Sequence, residues 1–133
     1  ADSVIDLGFV PIQDKYDAMS AATFLCQPSH NESFSIVIME SWLCNRPVLV
    51  NEDCPVTVNF ARQSAGGLYF KDYYDFEACL DYFCSNEQIC QQMGLNGNKY
   101  VNENFSWDAI IRNFKQFFES LEENSNVAED SNK

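Results

Sequence analysis

The fold of this chain is decided by residues 28–40, whose sequence is PSHNESFSIVIME. A short run of β-forming residues, Thr23 to Gln27, precedes this stretch, and Pro28 ends the strand that they predict. A largely apolar run from Phe34 to Leu43 follows and predicts a helix. The sequence therefore predicts a strand, a polar loop and a helix in that order.

The start of this predicted helix is suited to an anion. Ser33 or Asn31 can act as the capping residue. The first backbone N–H groups of a helix have no acceptor within the helix, and the positive end of the helix dipole attracts negative charge. We therefore expect the amides of Phe34, Ser35 and Ile36 to face an anionic group such as a diphosphate.

Two acidic residues, Glu32 and Glu40, lie eight positions apart around the helix start. A rise of about 1.5 Å per residue would separate them by roughly 12 Å, which is the reach of a sugar–diphosphate–ribose unit. We expect Glu32 to accept hydrogen bonds from sugar hydroxyls and Glu40 from paired ribose hydroxyls, because a carboxylate accepts two such bonds together. Each acid alone is better explained as an exposed or helix-dipole residue, whereas the pair in this setting favours a binding site.

This arrangement resembles the nucleotide-sugar-binding domain of retaining GT-B glycosyltransferases, in which a proline–serine turn precedes an E-x7-E motif. The family often has glycine where this chain has Ser35, and the serine hydroxyl could itself donate to a phosphate. An ordered set of landmarks is more specific than one motif, and here the set covers nearly all of residues 4–121. The landmarks are Leu7–Val10, the Pro28-Ser29 turn with Glu32 and Glu40, Cys44–Val50, Gly66–Phe70 and Phe105–Trp107.

The resemblance implies the donor-binding half of a hexosyltransferase, which moves a sugar from a nucleoside diphosphate to an acceptor hydroxyl. It implies a catalytic role for Glu32, in contact with the transferred sugar, and donor-binding roles for Ser33, Phe34, Ser35, Ile36 and Glu40. We expect neither a cofactor nor a metal ion. In the family, a second Rossmann-like domain supplies the acceptor site, and two further strands supply an Arg and a Lys for the diphosphate. Both would lie upstream, so this C-terminal portion is expected to be inactive alone.

Strands and helices alternate along the chain. This pattern predicts an α/β, Rossmann-like but incomplete domain with a parallel sheet of about four strands. Two glycines, Gly94 and Gly97, weaken the middle of the helix over 87–102. The predicted strands are 4–10, 23–27, 47–51 and 68–70, and the predicted helices before the last one are 13–22, 34–43, 56–63, 76–84 and 87–102.

A long last helix is predicted after Ser106, which is a suitable cap. Residues 1–121 are expected to form the partial nucleotide-sugar-binding domain, and 122–133 a disordered acidic tail. One face of the helix is apolar and predicts a core or interface position. Its members are Ile110, Ile111, Phe114, Phe117, Phe118 and Leu121.

The loop Asn51–Thr57 should lie beside the loop Gln27–Glu32, because both leave the carboxyl ends of parallel strands. Its residues Glu52, Asp53, Pro55 and Thr57 are weaker candidates for the same site, since most of them are ordinary loop formers. The only histidine, His30, lies in the first loop and is expected to be an exposed residue without a catalytic task.

Charge and cysteine content exclude several classes of function. A net charge of −12 with eight scattered basic residues argues against nucleic acid and against anionic membrane surfaces. No apolar run approaches the roughly 20 residues that span a bilayer. The six cysteines match no zinc spacing, and we expect reduced thiols and a cytoplasmic location.

Two other interpretations remain open at this stage. The chain could be a noncatalytic α/β interaction module that uses its acidic surface and last helix. It could also be a fragment of a GT-B sugar-nucleotide epimerase or phosphorylase. A homodimer through the sheet edge that the missing strands leave exposed is a further expectation, because unpaired strand edges promote association.

Overall fold

The computed structural model describes the backbone of residues 3–130 and the side chains of residues 3–121. The chain divides into two compact units, Ala1–Lys99 and Tyr100–Lys133. The elements follow in the order α1 (Ile12–Ala21), β1 (Leu25–Gln27), α2 (Ile36–Leu43), β2 (Val48–Asn51), α3 (Pro55–Ser64), β3 (Gly67–Phe70), α4 (Tyr73–Ser85), α5 (Glu87–Phe105) and α6 (Trp107–Asp130).

The first unit contains a three-stranded parallel sheet with the order β1-β2-β3. Leu25 pairs with Val48, and Leu49 pairs with Leu68, so the carboxyl ends of the strands lie at one edge of the sheet. All four residues of the central strand β2 are buried. Its apolar run Val48–Val50 is typical of a parallel strand that is covered on both faces. The predicted α/β class is confirmed.

The predicted strand over 4–10 is wrong. In the part of the chain that the structure describes, this segment has no regular secondary structure, and the sheet has three strands rather than about four. Val4, Ile5, Leu7 and Phe9 are all exposed. Ile5, Leu7 and Phe9 alternate with other residues as in a strand, but a strand needs a neighbour with which to pair, and no described segment pairs with these residues. The free edge of β1 is the place where the predicted homodimer would form, and that dimer stays a prediction.

Helix α2 packs beneath the sheet through Ile38, Met39 and Trp42, which are buried. Trp42 has no exposed surface, and its Nε1 donates a 2.9 Å hydrogen bond to the carbonyl oxygen of Gly66. A buried tryptophan N–H needs such a partner. This bond ties α2 to the turn before β3.

Helix α5 is continuous through Gly94 and Gly97, the two glycines that lower the helix propensity of its middle. A Cβ atom at Gly97 would collide with the Trp42 ring, and one at Gly94 would collide with the backbone of Asn45. Both glycines therefore allow α5 to approach α2 and its following turn closely. The packing of Trp42 outweighs the low helix propensity of glycine.

The second unit contains the end of α5 and the whole of α6. The Ser106 hydroxyl accepts a 3.2 Å hydrogen bond from the backbone N–H of Ala109, which confirms its predicted capping role. Most of the predicted apolar face, from Ile111 to Leu121, is exposed. The backbone of α6 covers 122–130 of the predicted acidic tail, and residues 131–133 lie outside the described part, so the disorder of that tail stays a prediction. No helix among the described residues combines the length and apolarity needed to cross a bilayer.

Candidate functional site

The loops after β1 and β2 are neighbours, as predicted. Asn51, the buried last residue of β2, donates from Nδ2 to the carbonyl oxygen of Pro28 at 3.4 Å. Its own side-chain oxygen accepts a 2.9 Å hydrogen bond from the backbone N–H of Asp53. One amide side chain therefore joins the two loops at the carboxyl edge of the sheet, which is where open α/β sheets bind ligands.

The Glu32 side chain is hydrogen-bonded to Gln27, the last residue of β1. The side-chain amide of Gln27 donates to Glu32 Oε1 at 3.2 Å, and the hydroxyl of Ser29 donates to Gln27 Oε1 at 3.2 Å. Glu32 is half-buried rather than fully solvated. These two hydrogen bonds form a network in which Ser29 orients the Gln27 amide and the Gln27 amide orients the Glu32 carboxylate.

Helix α2 begins later than predicted. Its N-cap is Ser35, with φ 67° and ψ 75°, rather than Ser33 or Asn31, and no side-chain cap bond is made. The N–H of Ile38 is bonded to the Ser35 carbonyl at 3.2 Å, so the open first-turn amides are those of Ile36 and Val37. The first open amide is therefore that of Ile36, two residues after the predicted Phe34.

Ser35 combines a strained backbone with an unsatisfied side chain. A positive φ is unfavourable for residues other than glycine, Asn and Asp. The Ser35 residue is 8% exposed, and its buried hydroxyl has no hydrogen-bond partner among the described residues. A buried hydroxyl without a partner is costly and is a group that an incoming ligand oxygen would satisfy.

The other predicted donor-binding residues lie around this cap in different surroundings. Ser33 is exposed, and Ile36 at the first helical position is 68% exposed. The ring of Phe34 contacts that of Phe60 on α3 edge-on, with ring centroids 5.4 Å apart. Phe34 therefore packs between elements, so its backbone rather than its ring is the group available to a ligand.

The Glu40 side chain is hydrogen-bonded to two residues of α1. Its Oε1 accepts a 2.7 Å hydrogen bond from Lys15 Nζ and a 3.0 Å hydrogen bond from the Tyr16 hydroxyl. The hydrogen bond to Glu40 raises the pKa of Lys15 against a smaller opposing effect of burial. The same carboxylate raises the pKa of Tyr16 through a hydrogen bond. The Glu40 carboxylate, in the second turn of α2, is thus held in place by two residues of α1.

The two acids therefore have different partners: Glu32 is bonded to β1 and Glu40 to α1. The interval between them is helical only from Ile36 onward. The estimate of roughly 12 Å assumed a continuous helix, so it does not apply to this backbone. Glu32 lies in the loop before the N-cap residue Ser35, and Glu40 lies in the helix after it.

The second loop contributes a buried thiol. Burial acts to raise the pKa of Cys54, but hydrogen bonds from Thr57 and from the backbone N–H groups of Thr57, Glu32 and Val56 outweigh it, so the net effect is a lowered pKa. Thr57 is fully buried, and its hydroxyl donates to the Cys54 carbonyl oxygen at 3.3 Å. Thr57 therefore stabilises the start of α3 and is not available to a ligand.

The remaining loop residues are exposed. His30 Nδ1 lies 3.3 Å from Asp53 Oδ2, with both side chains largely accessible to solvent. Glu52 and Pro55 line a shallow groove of about 610 Å³ beside α3. Among the side chains of residues 3–121, no three His, Cys, Asp or Glu residues are grouped as a metal site would require, and the six cysteines are unpaired.

Sequence reasoning missed four residues that hold the site. Gln27 and Asn51 are polar residues at the carboxyl ends of strands, and that signal could have identified them, because such positions lie at the ligand edge of a parallel sheet. Lys15 and Tyr16 gave no such signal. They lie 25 and 24 residues from Glu40, and only the tertiary packing brings them to it.

The chain is similar to known proteins in both sequence and fold. The D-inositol 3-phosphate glycosyltransferase of Gordonia bronchialis is 29% identical over 96 residues, which are 71% of this chain and 21% of that protein. The sucrose-phosphate synthase of Thermosynechococcus elongatus has a similar fold, with a TM-score of 0.74 and 23% identity over 90% of this chain and 30% of that one. The chain thus spans less than a third of the length of either protein. Residues 1–100 match the family described as Glycosyl transferases group 1. Because this match covers most of the chain, the chain belongs to that glycosyltransferase family.

Proposed function

We propose that the chain is the donor-binding portion of a retaining glycosyltransferase, which transfers a sugar from a nucleoside diphosphate to an acceptor hydroxyl. Family membership supports glycosyl transfer. The site at the carboxyl edge of β1 and β2 supports donor binding, because nucleotides bind at this edge in open α/β sheets. An upstream Rossmann-like domain would supply the acceptor site and further cations.

The observation that carries this proposal is the state of Ser35. Its hydroxyl is buried and unpaired, its φ is positive, and it caps the helix whose open amides belong to Ile36 and Val37. A diphosphate oxygen would accept hydrogen bonds from all three groups at once. The backbone strain and the unpaired hydroxyl of Ser35 are then features of an anion-binding site.

Glu32 is the residue that we assign to the transferred sugar. Gln27 engages its Oε1, which leaves the rest of the carboxylate to accept from sugar hydroxyls. In the reaction, the bond between the anomeric carbon and the diphosphate breaks, and negative charge grows on the leaving diphosphate. The Ser35 hydroxyl and the α2 amides would stabilise that charge, since fixed donors act most strongly where charge develops.

The test is calorimetric titration of the full-length protein with UDP, GDP and ADP, before and after Ser35→Ala. The substitution keeps the backbone but removes the hydroxyl, so affinity for the diphosphate should fall by about tenfold, the loss expected for a hydrogen bond to a charged group. Stability without ligand should rise, because an unpaired buried hydroxyl is removed. Ser85→Ala, at the exposed end of α4, is the matched control. Equal affinities in the two variants would contradict the proposal.

A further inference from the structure

The bonds to Glu40 are concentrated on one of its two carboxylate oxygens. Lys15 Nζ and the Tyr16 hydroxyl both bond Oε1. Among the described residues, Oε2 accepts no hydrogen bond. The Glu40 side chain is 16% exposed, so the carboxylate is largely enclosed but not sealed.

A carboxylate held in this way still has acceptor capacity. Each of its oxygens has two lone pairs, and together they can accept about four hydrogen bonds. A lysine and a tyrosine that both donate to one oxygen restrict the orientation of the carboxylate. The other oxygen is then presented in a defined direction, as a fixed acceptor for a hydroxyl group.

The donors come from the first turns of α1. This helix ends at Ala21 and leads into β1 at Leu25, so it returns the chain to the beginning of that strand. Its own first turns, with Lys15 and Tyr16, therefore lie toward the carboxyl end of β1, where ligands bind. The Lys15 ammonium also lies 4.9 Å from the centre of the Tyr16 ring, so the two donors brace each other.

We propose that Lys15 and Tyr16 are positioning residues, which hold Glu40 so that its Oε2 accepts from the two adjacent ribose hydroxyls of the bound nucleotide. The inference rests on the proposed function, since it requires a nucleotide in this site. It extends that function to α1, and it makes the Lys15–Glu40 pair a determinant of selectivity for ribose over sugars that lack these hydroxyls.

A purely structural salt bridge between α1 and α2 would behave differently. It would change the stability of the domain but would affect ribonucleotides and dideoxyribonucleotides equally. A positioning role makes the contribution of Lys15 depend on whether ribose hydroxyls are present in the ligand. The preference for ribose, measured as a ratio of two dissociation constants, separates these cases.

The experiment measures dissociation constants of the full-length protein for UDP, GDP and ADP and for their 2′,3′-dideoxy counterparts. We expect the unchanged protein to prefer the ribose form of the nucleotide that it binds by about tenfold or more. Lys15→Met should reduce that preference by about fivefold, because a charge-assisted bond that orients the acceptor is lost. Tyr16→Phe should reduce it less, and affinity for the dideoxy form should remain unchanged.

Two control variants complete the design. Lys15→Arg keeps a charged donor and should restore most of the preference, whereas Lys71→Met removes an exposed lysine after β3 and should leave the preference unchanged. Thermal unfolding confirms that each variant is folded. An unaltered ribose preference in both Lys15→Met and Tyr16→Phe overturns the inference while leaving the proposed function intact. Failure of the unchanged protein to bind any of the three nucleotides overturns the proposed function itself.

Discussion

The side-chain amide of Gln27, the last residue of β1, donates a 3.2 Å hydrogen bond to Oε1 of Glu32. A residue of the rigid sheet thereby orients a carboxylate in a loop. Such support matters in a glycosyltransferase, because a misplaced group at the reacting sugar lowers the rate steeply. The relationship makes Gln27 part of the proposed site although it lies outside the E-x7-E interval.

Replacement of Gln27 by Leu should therefore impair transfer without abolishing nucleotide binding. We expect kcat/KM for the sugar donor to fall by about tenfold or more, since Glu32 loses its fixed orientation. The dissociation constant for the free nucleoside diphosphate should stay the same, because Glu32 is assigned to the sugar. Gln88→Leu, at an exposed position of α5, is the control. Unchanged donor kinetics in Gln27→Leu would refute the role of this bond.

Ser35→Gly should stabilise the ligand-free chain. The variant relieves the positive φ and removes the unpaired hydroxyl, and we expect the free energy of unfolding to rise by about 1 kcal/mol. Ala65→Gly, at the C-cap of α3 with φ 51°, relieves similar strain without removing a buried polar group. Chemical denaturation of both variants measures the difference between them. A larger gain in Ala65→Gly than in Ser35→Gly would contradict the assignment of an unpaired hydroxyl to Ser35.

Gly97→Ala should destabilise the chain despite the higher helix propensity of alanine. The added methyl group collides with the Trp42 ring, and overpacking of this kind costs about 1–3 kcal/mol. Gln91→Ala, at an exposed position of the same helix, should change stability by less than about 0.5 kcal/mol. Urea denaturation compares the two. A neutral or stabilising Gly97→Ala would mean that α5 does not approach Trp42 this closely.

The Lys15–Glu40 pair predicts a pH dependence with a defined sign. The pKa of Lys15 is raised above its usual value of 10.5, so the folded state favours the protonated lysine. The stabilisation is therefore fully present below pH 10.5 and is lost as pH rises through the folded-state pKa. Tyr16, with a pKa raised above 10.0, acts in the same direction.

The measurement is the difference in melting temperature between the unchanged protein and Lys15→Met, from neutral pH to about pH 11. This difference should be constant up to the alkaline range and then shrink. The corresponding difference for Lys71→Met should not show this loss, since the backbone N–H of Lys71, rather than its ammonium, makes its contact with Asp75. A Lys15→Met difference that grows with pH would contradict the account.

Local pattern predicted most of the fold and the meeting of the two loops that form the candidate site. The alternation of strands and helices, and the meeting of the loops after β1 and β2, follow from short-range sequence and the geometry of parallel sheets. The segment 4–10 differs from its prediction, because an alternating apolar pattern forms a strand only where a partner strand exists. The start of α2 also differs, because capping preferences favour Ser33 or Asn31, whereas tertiary packing buries Ser35 at the cap.

The partners of Glu40 could not be predicted in this way. Lys15 and Tyr16 lie on a different helix from Glu40, with β1 between the two helices in the chain, and nothing in their own neighbourhood distinguishes them from exposed helix residues. The role of Gly97 could not be predicted either, because this glycine makes room for the Trp42 ring of α2, which is distant in the sequence. Long-range packing therefore decides the details that local sequence leaves open.

The most direct test of the central claim is donor turnover by the full-length protein after Glu32→Ala, beside Glu77→Ala at an exposed position of α4. If the strand-to-helix junction binds a sugar nucleotide with Glu32 at the sugar, kcat/KM for the UDP- or GDP-sugar falls by about 10²-fold in Glu32→Ala and is unchanged in Glu77→Ala. Equal turnover by Glu32→Ala and the unchanged protein would contradict the account.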